Sequence, residues 1–343
     1  MKIIIDAFGG DNSPEEIVSG AIDAVKEKEG FDVVLVGKEN TIRKLLGDKE
    51  YDESRVSVVN ADEVITCDDT PTEAIRSKPN SSIVVAAKLL KTDENAKAFV
   101  SAGSTGAVLA AAILLTPRIK GILRPALAPL LPNLKGGETM LLDCGANVDV
   151  KPQNLVQFAL MGSIYMRNVA GVENPKTALL SNGTEDKKGC ALTKEAFALL
   201  KEQKDINFVG NMEARDILSG EYDVVVADGF SGNIALKSLE GAVGCLFSVL
   251  KTEIKSSKSA TLGALFMKGA FKKVKNRMDY NKRGGAVLLG MDKIIVKAHG
   301  SSKSEAFKNA ISQAYNAAVT DVSGKIGSEL KRLGEADASG DNV

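Results

Sequence analysis

Residues 3–14 read IIIDAFGGDNSP: three β-branched residues, an acid, a loop of glycines and polar residues, then a proline that opens a helical pattern. The same grammar returns in AFVSAGSTGAV (98–108), MLLDCGANVDVKP (140–152), TALLSNGTEDKKG (177–189), DVVVADGFSGN (223–233) and IIVKAHGSSKSE (294–305). Short apolar runs alternating with helical segments predict an α/β fold: a three-layer, open, mainly parallel sheet with helices on both faces. Right-handed crossovers would bring all six loops to one carboxyl edge, where open α/β sheets bind ligands. The chain therefore reads as built around one polar crevice. Neither G-x-G-x-x-G after a strand nor G-x-x-x-x-G-K-S/T occurs, so no nucleotide fingerprint accompanies it.

The alternation runs without a linker from Lys2 to about residue 330 of 343, which predicts one domain over residues 1–333. The last ten residues, GEADASGDNV (334–343), are small, polar and acidic and read as a flexible tail. Lys and Arg total 44 and Asp and Glu total 44, so bulk electrostatics gives no affinity for nucleic acid, and any basic site must be local. Cys67, Cys144, Cys190 and Cys245 lie far apart and His299 is the single histidine, a set that argues against a structural zinc site. Each cysteine reads as a small buried residue, reduced in a cytosol. The chain opens on the strand-like MKIIIDAF, with no signal peptide and no 18-residue apolar run in view. This predicts a cytoplasmic protein or one peripheral to a membrane.

Helix starts are marked at Ser13-Pro14-Glu15-Glu16, Thr70-Pro71-Thr72-Glu73 and Ser302 with Glu305, each read as a capping arrangement. FDVVLVG, RVSVVNA, INFVGN and DVVVAD read as short buried strands. The four prolines between Pro117 and Pro132 predict an extended connection rather than a helix. Composition shifts once: residues 251–283 hold ten Lys or Arg against two acids. Within them Met267, Phe271, Val274 and Met278 fall at helical spacing beside Lys268, Lys272, Lys273, Lys275 and Arg277. This predicts a protruding amphipathic helix with a cationic face. Its alternatives are packing on its own domain or on a second subunit, contact with an anionic membrane, or docking of an acidic protein.

Four loops carry candidate chemistry. Gly103, Ser104, Thr105 and Gly106 place backbone N–H groups and two hydroxyls at a helix start, an arrangement that favours an anion. Thr184, Lys187 and Lys188 add a hydroxyl and two ammonium groups, a plausible phosphate clamp. Asp228, Ser231 and Asn233 share a third loop, where Asp228 is a metal ligand, a base or, most simply, a helix cap. His299 ends the last strand and is either a structural residue or a proton-transfer group. These residues alone suit an enzyme acting on a phosphate-bearing or anionic small substrate without identifying the reaction.

Taken together, DAFGGDNSP, AIRSKPNSS, SAGSTGA, RIKGILRPALAP, LDCGANVDVKP with LVQFALMGS, NGTEDKKG, VVVADGFSGNIALKSLEG and HGSSKSEAFKNAI resemble the bacterial phosphate acyltransferase family of phospholipid synthesis (PlsX), in family order across residues 4 to 313. The resemblance implies a fold like those of phosphate acetyltransferases and isopropylmalate dehydrogenases. It implies transfer of a long-chain acyl group from acyl-acyl carrier protein to inorganic phosphate by direct attack of phosphate on the thioester. No metal or other cofactor is implied. A homodimer, peripheral membrane association at the inner face of the cell membrane, and a downstream membrane acyltransferase that uses the acyl phosphate are also implied. On this reading Gly103, Ser104, Thr105, Gly106, Thr184 and Lys188 hold phosphate, and Lys188, Asp228, Asn233 and His299 serve catalysis. Lys268, Lys272, Lys273, Lys275 and Arg277 contact carrier protein or membrane. The chain departs from the family where GGDHAP is common: Asn12 and Ser13 stand there, so no histidine role transfers. Ser104 and Ser181 stand where asparagine is frequent. Three rivals remain: a short-chain phosphotransacetylase using coenzyme A, a metal- and NAD-dependent decarboxylating dehydrogenase, and a non-enzymatic scaffold that binds acyl carrier protein or membrane.

Overall fold

The computed structural model of the chain describes residues 1–278 and 283–340. Among these residues eleven strands form one sheet: β1 (Lys2–Asp6), β2 (Asp32–Gly37), β3 (Val56–Asn60), β4 (Ala96–Ser101), β5 (Ala126–Pro132), β6 (Glu138–Leu142), β7 (Lys176–Ser181), β8 (Asn207–Glu213), β9 (Val224–Val226), β10 (Ala286–Leu289) and β11 (Ile294–Lys297). The helices are α1 (Glu15–Glu27), α2 (Glu39–Gly47), α3 (Pro71–Ser77), α4 (Ser82–Thr92), α5 (Thr105–Leu115), α6 (Pro152–Asn168), α7 (Ala191–Glu202), α8 (Gly229–Ser256), α9 (Lys258–Met278), α10 (Ser304–Val319) and α11 (Val322–Gly340). Strand alternation explains why both faces are covered. Ile3 and Ile5 of β1 enter a core with Val18 of α1, Phe158 of α6 and Phe307 of α10. Ile4 points the other way, into a core with Ile75 of α3, Val84 of α4 and Val108 of α5.

The strand order is β3-β2-β1-β4-β11-β10-β5-β6-β9-β7-β8. β3, β2, β1, β4 and β11 are mutually parallel, as are β6, β9, β7 and β8. Between the two blocks, β11–β10, β10–β5 and β5–β6 are antiparallel pairs, so the blocks run in opposite directions. The expectation of one carboxyl edge is therefore corrected: there are two, and they meet head-on along β5. Ala286 of β10 aligns with both Lys297 at the end of β11 and Pro129 of β5. β6 takes over from Leu130 onward, and the chain just past its end returns to Leu127 through the Cys144 N–H. The proline-rich connection is likewise corrected, because its residues 126–132 form this central strand. Pro129 sits where β5 changes partners, a position that tolerates the missing N–H.

The expected caps are only partly realised. Ser13 does not cap α1; its hydroxyl donates to the Gly10 carbonyl at 2.8 Å, and Pro14 holds the cap position. Thr70 precedes α3 with Pro71 in the first turn, but its side chain makes no cap bond. Ser302 does not cap α10, where Glu16 of α1 instead accepts the Ser304 N–H at 2.7 Å. Of the cysteines, only Cys144 is buried, contrary to the expectation for all four.

α8 and α9 form a protruding hairpin. α8 buries only Gly229 and Gly232 along its 28 residues. It is also long and apolar enough to cross a membrane by length and composition, with mean hydropathy 1.3 over an 18-residue window, so the expectation of no such stretch does not hold. α9 confirms the predicted helix, and Leu265, Phe266 and Met267 stand in solvent, Phe266 with 87% of its surface exposed. The acidic stretch expected as a flexible tail continues α11 to Gly340, and residues 341–343 lie outside the described residues.

Candidate functional site

The turn after β4 is built from a buried acid. Asp6, fully buried at the end of β1, accepts the Ser101 hydroxyl at 2.7 Å, and Ser101 in turn accepts the Gly103 N–H at 3.0 Å. Burial raises the Asp6 pKa against the hydrogen bonds that lower it. Gly9 makes the close approach possible, since a Cβ there would lie 2.4 Å from Asp6 Oδ2 and 2.6 Å from the Gly103 nitrogen. The Ser104 hydroxyl accepts the Ala107 N–H at 3.4 Å and opens α5. Unpaired N–H groups of the first turn and the helix dipole make this end electropositive.

The opposing block repeats the device. Asp143, past the end of β6, accepts N–H groups of Leu127 at 2.9 Å, Ala146 at 3.0 Å and Asn147 at 2.7 Å, and the Asn147 side chain at 2.8 Å. The loop thus fixed receives the start of α8, whose Gly232 has no room for a Cβ: one would sit 2.0 Å from the Asp143 carbonyl. From there Asn233, Leu236, Lys237 and Glu240, spaced as one helix face, line a chamber of 410 Å³. Thr105 and Gly106 of α5, Leu127, Pro129 and Leu130 of β5, and Lys297 and His299 are also part of its wall. A second cavity of 550 Å³ lies behind it, lined by Gly10, Asp11, Ser13, Cys67, Gly103 and Ser104, and it shares Thr105 and Lys297 with the chamber.

Lys297 is the unusual group. It is 9% exposed, and its ammonium donates to the Ala298 carbonyl. Burial first, then the nearby Lys237 charge, pushes its pKa down to about 8, while Asp6 and Asp11 pull the other way. His299 is half-buried, and burial lowers its pKa, so the ring is neutral near pH 7. Its Nδ1 accepts the Ser301 N–H at 3.2 Å, which places the proton on Nε2. A helix N-terminus and a buried ammonium on one wall suit an anion, with apolar β5 and α8 residues beside it.

The chamber unites some of the sequence candidates and not others. Thr105, Gly106, Asn233 and His299 meet there, with Gly103 and Ser104 just behind in the second cavity. Asp228 does not join them. It caps α8, accepting the Ser231 N–H at 2.8 Å, and lines a separate 770 Å³ cavity with Ser181, Asn182 and Cys190. Thr184, Lys187 and Lys188 are exposed on the loop after β7 and line neither the chamber nor the cavity behind it. Among the basic residues of the hairpin, Lys268 and Lys272 border a groove between α8 and α9, Lys273 is exposed, and Arg277 is engaged by the Leu134 carbonyl; the Lys275 side chain lies outside the described residues. Lys297, Asp6 and Asp143 were missed. The legible signal for Lys297 was a lysine closing an otherwise apolar strand, IIVK. For the two acids it was the repeated run of aliphatic residues ending in Asp in IIIDAFGG and MLLDCGAN. No three His, Cys, Asp or Glu side chains cluster to hold a metal among the described residues.

Residues 1–325 match the model of the fatty acid synthesis protein family. A phosphate acyltransferase of Clostridium novyi is 49% identical over 332 residues, covering 97% of this chain and 99% of the relative. One from Fusobacterium nucleatum is 50% identical over 314 residues, covering 92% of this chain and 94% of the relative. Among solved structures, a phosphotransacetylase from Streptococcus pyogenes superposes with a TM-score of 0.61 at 19% identity, over 93% of this chain and 94% of that one, a likeness of fold. With the family model spanning nearly all of its strands and helices, and relatives at half identity along its length, the chain belongs to the phosphate acyltransferase family of fatty acid and phospholipid synthesis.

Proposed function

We propose that the protein transfers a long-chain acyl group from acyl-acyl carrier protein to inorganic phosphate, giving acyl phosphate and the free carrier thiol. The observation that carries this reading is the chamber wall where the α5 N-terminus and the buried Lys297 ammonium stand beside the apolar faces of β5 and α8. Phosphate binds at Thr105, Gly106 and Lys297, with Gly103 and Ser104 supporting the turn. One phosphate oxygen attacks the thioester carbonyl carbon, a C–O bond forms, and collapse of the tetrahedral intermediate breaks the C–S bond. The thiolate leaves with the bonding pair, and its reference thiol pKa of about 8.5 means it requires little assistance from an acid. Asn233 donates to the developing oxyanion, and His299, neutral with its proton on Nε2, orients phosphate. Positioning two reactants in one chamber is the main contribution, so no covalent enzyme intermediate is needed.

The exposed Leu265, Phe266 and Met267 with Lys268, Lys272 and Lys273 support contact between the hairpin and an anionic partner, membrane or carrier protein. We place the enzyme in the cytoplasm, peripheral to the inner face of the membrane, as a homodimer that passes acyl phosphate to a membrane acyltransferase. The test of the reaction is incubation with palmitoyl-acyl carrier protein with and without inorganic phosphate, trapping acyl phosphate as its hydroxamate. Hydroxamate and free carrier thiol that both depend on phosphate are expected. Absence of both with folded protein overturns the reading.

A further inference from the structure

One apolar stripe of α8 runs past three spaces in succession. Leu236, Leu239, Val243, Phe247, Leu250 and Ile254 recur at intervals of three and four residues and so share a helix face. Leu236 lines the 410 Å³ chamber. Leu239 and Val243 line a narrow gap of 30 Å³, closed on its other side by Leu131, Pro132, Leu218 and Met278. Phe247, Leu250 and Ile254 line the 890 Å³ groove between α8 and α9. Chamber and gap share Leu236 and Glu240, so they adjoin.

We infer that the acyl chain of the donor lies along this stripe, from the chamber through the gap into the α8–α9 groove, and that the gap residues Val243 and Met278 set how long a chain is accepted. The inference rests on the acyl-transfer reading above. Its geometry is that of an unbranched apolar ligand: the eleven helical steps from Leu236 to Phe247 span about 16 Å. The path is bordered by the same β5 that forms the chamber floor, with Leu127, Pro129 and Leu130 giving way to Leu131 and Pro132. Leu131 is held in the sheet and 4% exposed. Met278 is the adaptable wall, an unbranched thioether side chain that repacks readily. Its neighbour Arg277 is tied to the β5–β6 turn, where its guanidinium donates to the Leu134 carbonyl. A chain too short to reach the gap would gain nothing from it. Each further methylene buried beyond it is worth about fourfold in specificity.

The test compares sixteen-carbon and four-carbon acyl-acyl carrier protein in the unsubstituted enzyme and in Val243→Trp, which plugs the gap from a half-buried position on α8. Met278→Trp repeats the plug from the facing wall should the first variant not fold. The expected result is at least a tenfold loss of kcat/KM for the sixteen-carbon donor with the four-carbon donor within about twofold, for the methylenes excluded. Equal change for the two donors, or no loss with the longer one, overturns the inference. Absence of acyl phosphate from either donor with the unsubstituted enzyme would instead overturn the reaction itself, and the two failures are distinct.

Discussion

Lys297 and Lys188 both follow a strand that ends in a polar loop, and their fates differ. Lys188 stands on a loop whose backbone turns on itself, its N–H bonded to the Glu185 carbonyl at 3.0 Å, with the side chain exposed. Lys297 is the last residue of β11, aligned with Ser101 of β4, and is buried between two cavities. An exposed ammonium is strongly hydrated and adds little to the binding of an anion. A buried one has already lost that hydration and is held in place, so it acts on an anion in a low-dielectric setting at little further reorganisation. The register of the strand, more than the polarity of the loop, decides which lysine is buried beside the chamber.

The largest expected effect is in a pair of variants. Lys297→Met is expected to lower kcat/KM for phosphate about 10²- to 10³-fold, as removal of a preorganised donor does. Lys188→Ala should stay within about twofold, in line with an exposed charge. A larger loss at Lys188 than at Lys297 reverses the assignment. Next comes pH. Because the Lys297 pKa is pushed down to about 8, its ammonium is lost as pH rises through that value, and phosphate KM should climb about tenfold per unit above it, measured by initial rates. In Lys297→Arg, which keeps its charge, that climb should vanish. The linkage to stability has the opposite sign. The unfolded chain holds the proton up to the ordinary lysine value of 10.5, so the buried ammonium destabilises the fold fully below about pH 8, and stability rises with pH across that interval.

Smaller effects are expected elsewhere in the chamber and on the hairpin. Asn233→Ala should cost about five- to tenfold in kcat with phosphate KM nearly unchanged, the scale of one neutral hydrogen bond. A rise in phosphate KM alone would move Asn233 to the phosphate side of the chamber. Gly232→Ala should destabilise the protein by about 1–3 kcal/mol by thermal unfolding, because its Cβ would meet the Asp143 carbonyl. Least of all, reversing the charges of Lys272 and Lys273 should leave kcat/KM for a soluble short-chain donor unchanged while weakening flotation with anionic liposomes. Unweakened flotation would remove electrostatic attraction to the membrane from the account.

Much of the fold was legible because its strands are short β-branched runs and its helices begin at polar turns. The β-branched run IIID and the apolar DVVVAD led directly to β1 and β9. The direction of the second block was not legible: nothing local in MLLDCGAN tells whether its strand runs with or against IIIDAFGG, since pairing is decided by which strands lie between them. β5 was hidden by its prolines, which argue against a strand unless the position that lacks an N–H is one where no partner needs it. Thr105, Gly106 and Asn233, which line the chamber, stood out in the sequence because turn chemistry is local. Lys297 was passed over because a buried lysine is rare, and only the long-range alignment of β11 with β4 and β10 explains its burial.

The head-on meeting of the two blocks bears on how the molecule comes into being on the ribosome. β10 and β11 are inserted between β4 and β5, although they follow β5 in the chain by some 154 residues at their nearest, from Pro132 to Ala286. Until they emerge, β4 and β5 each present an unpaired edge, and Lys297 does not yet exist. At about 5–20 residues per second, that interval lasts roughly ten to thirty seconds. The nascent chain thus waits as two half-sheets with open edges, the kind of surface that recruits chaperones or neighbouring chains. One late-made hairpin both seals the sheet and delivers the lysine that lines the chamber, so an interrupted chain lacks both.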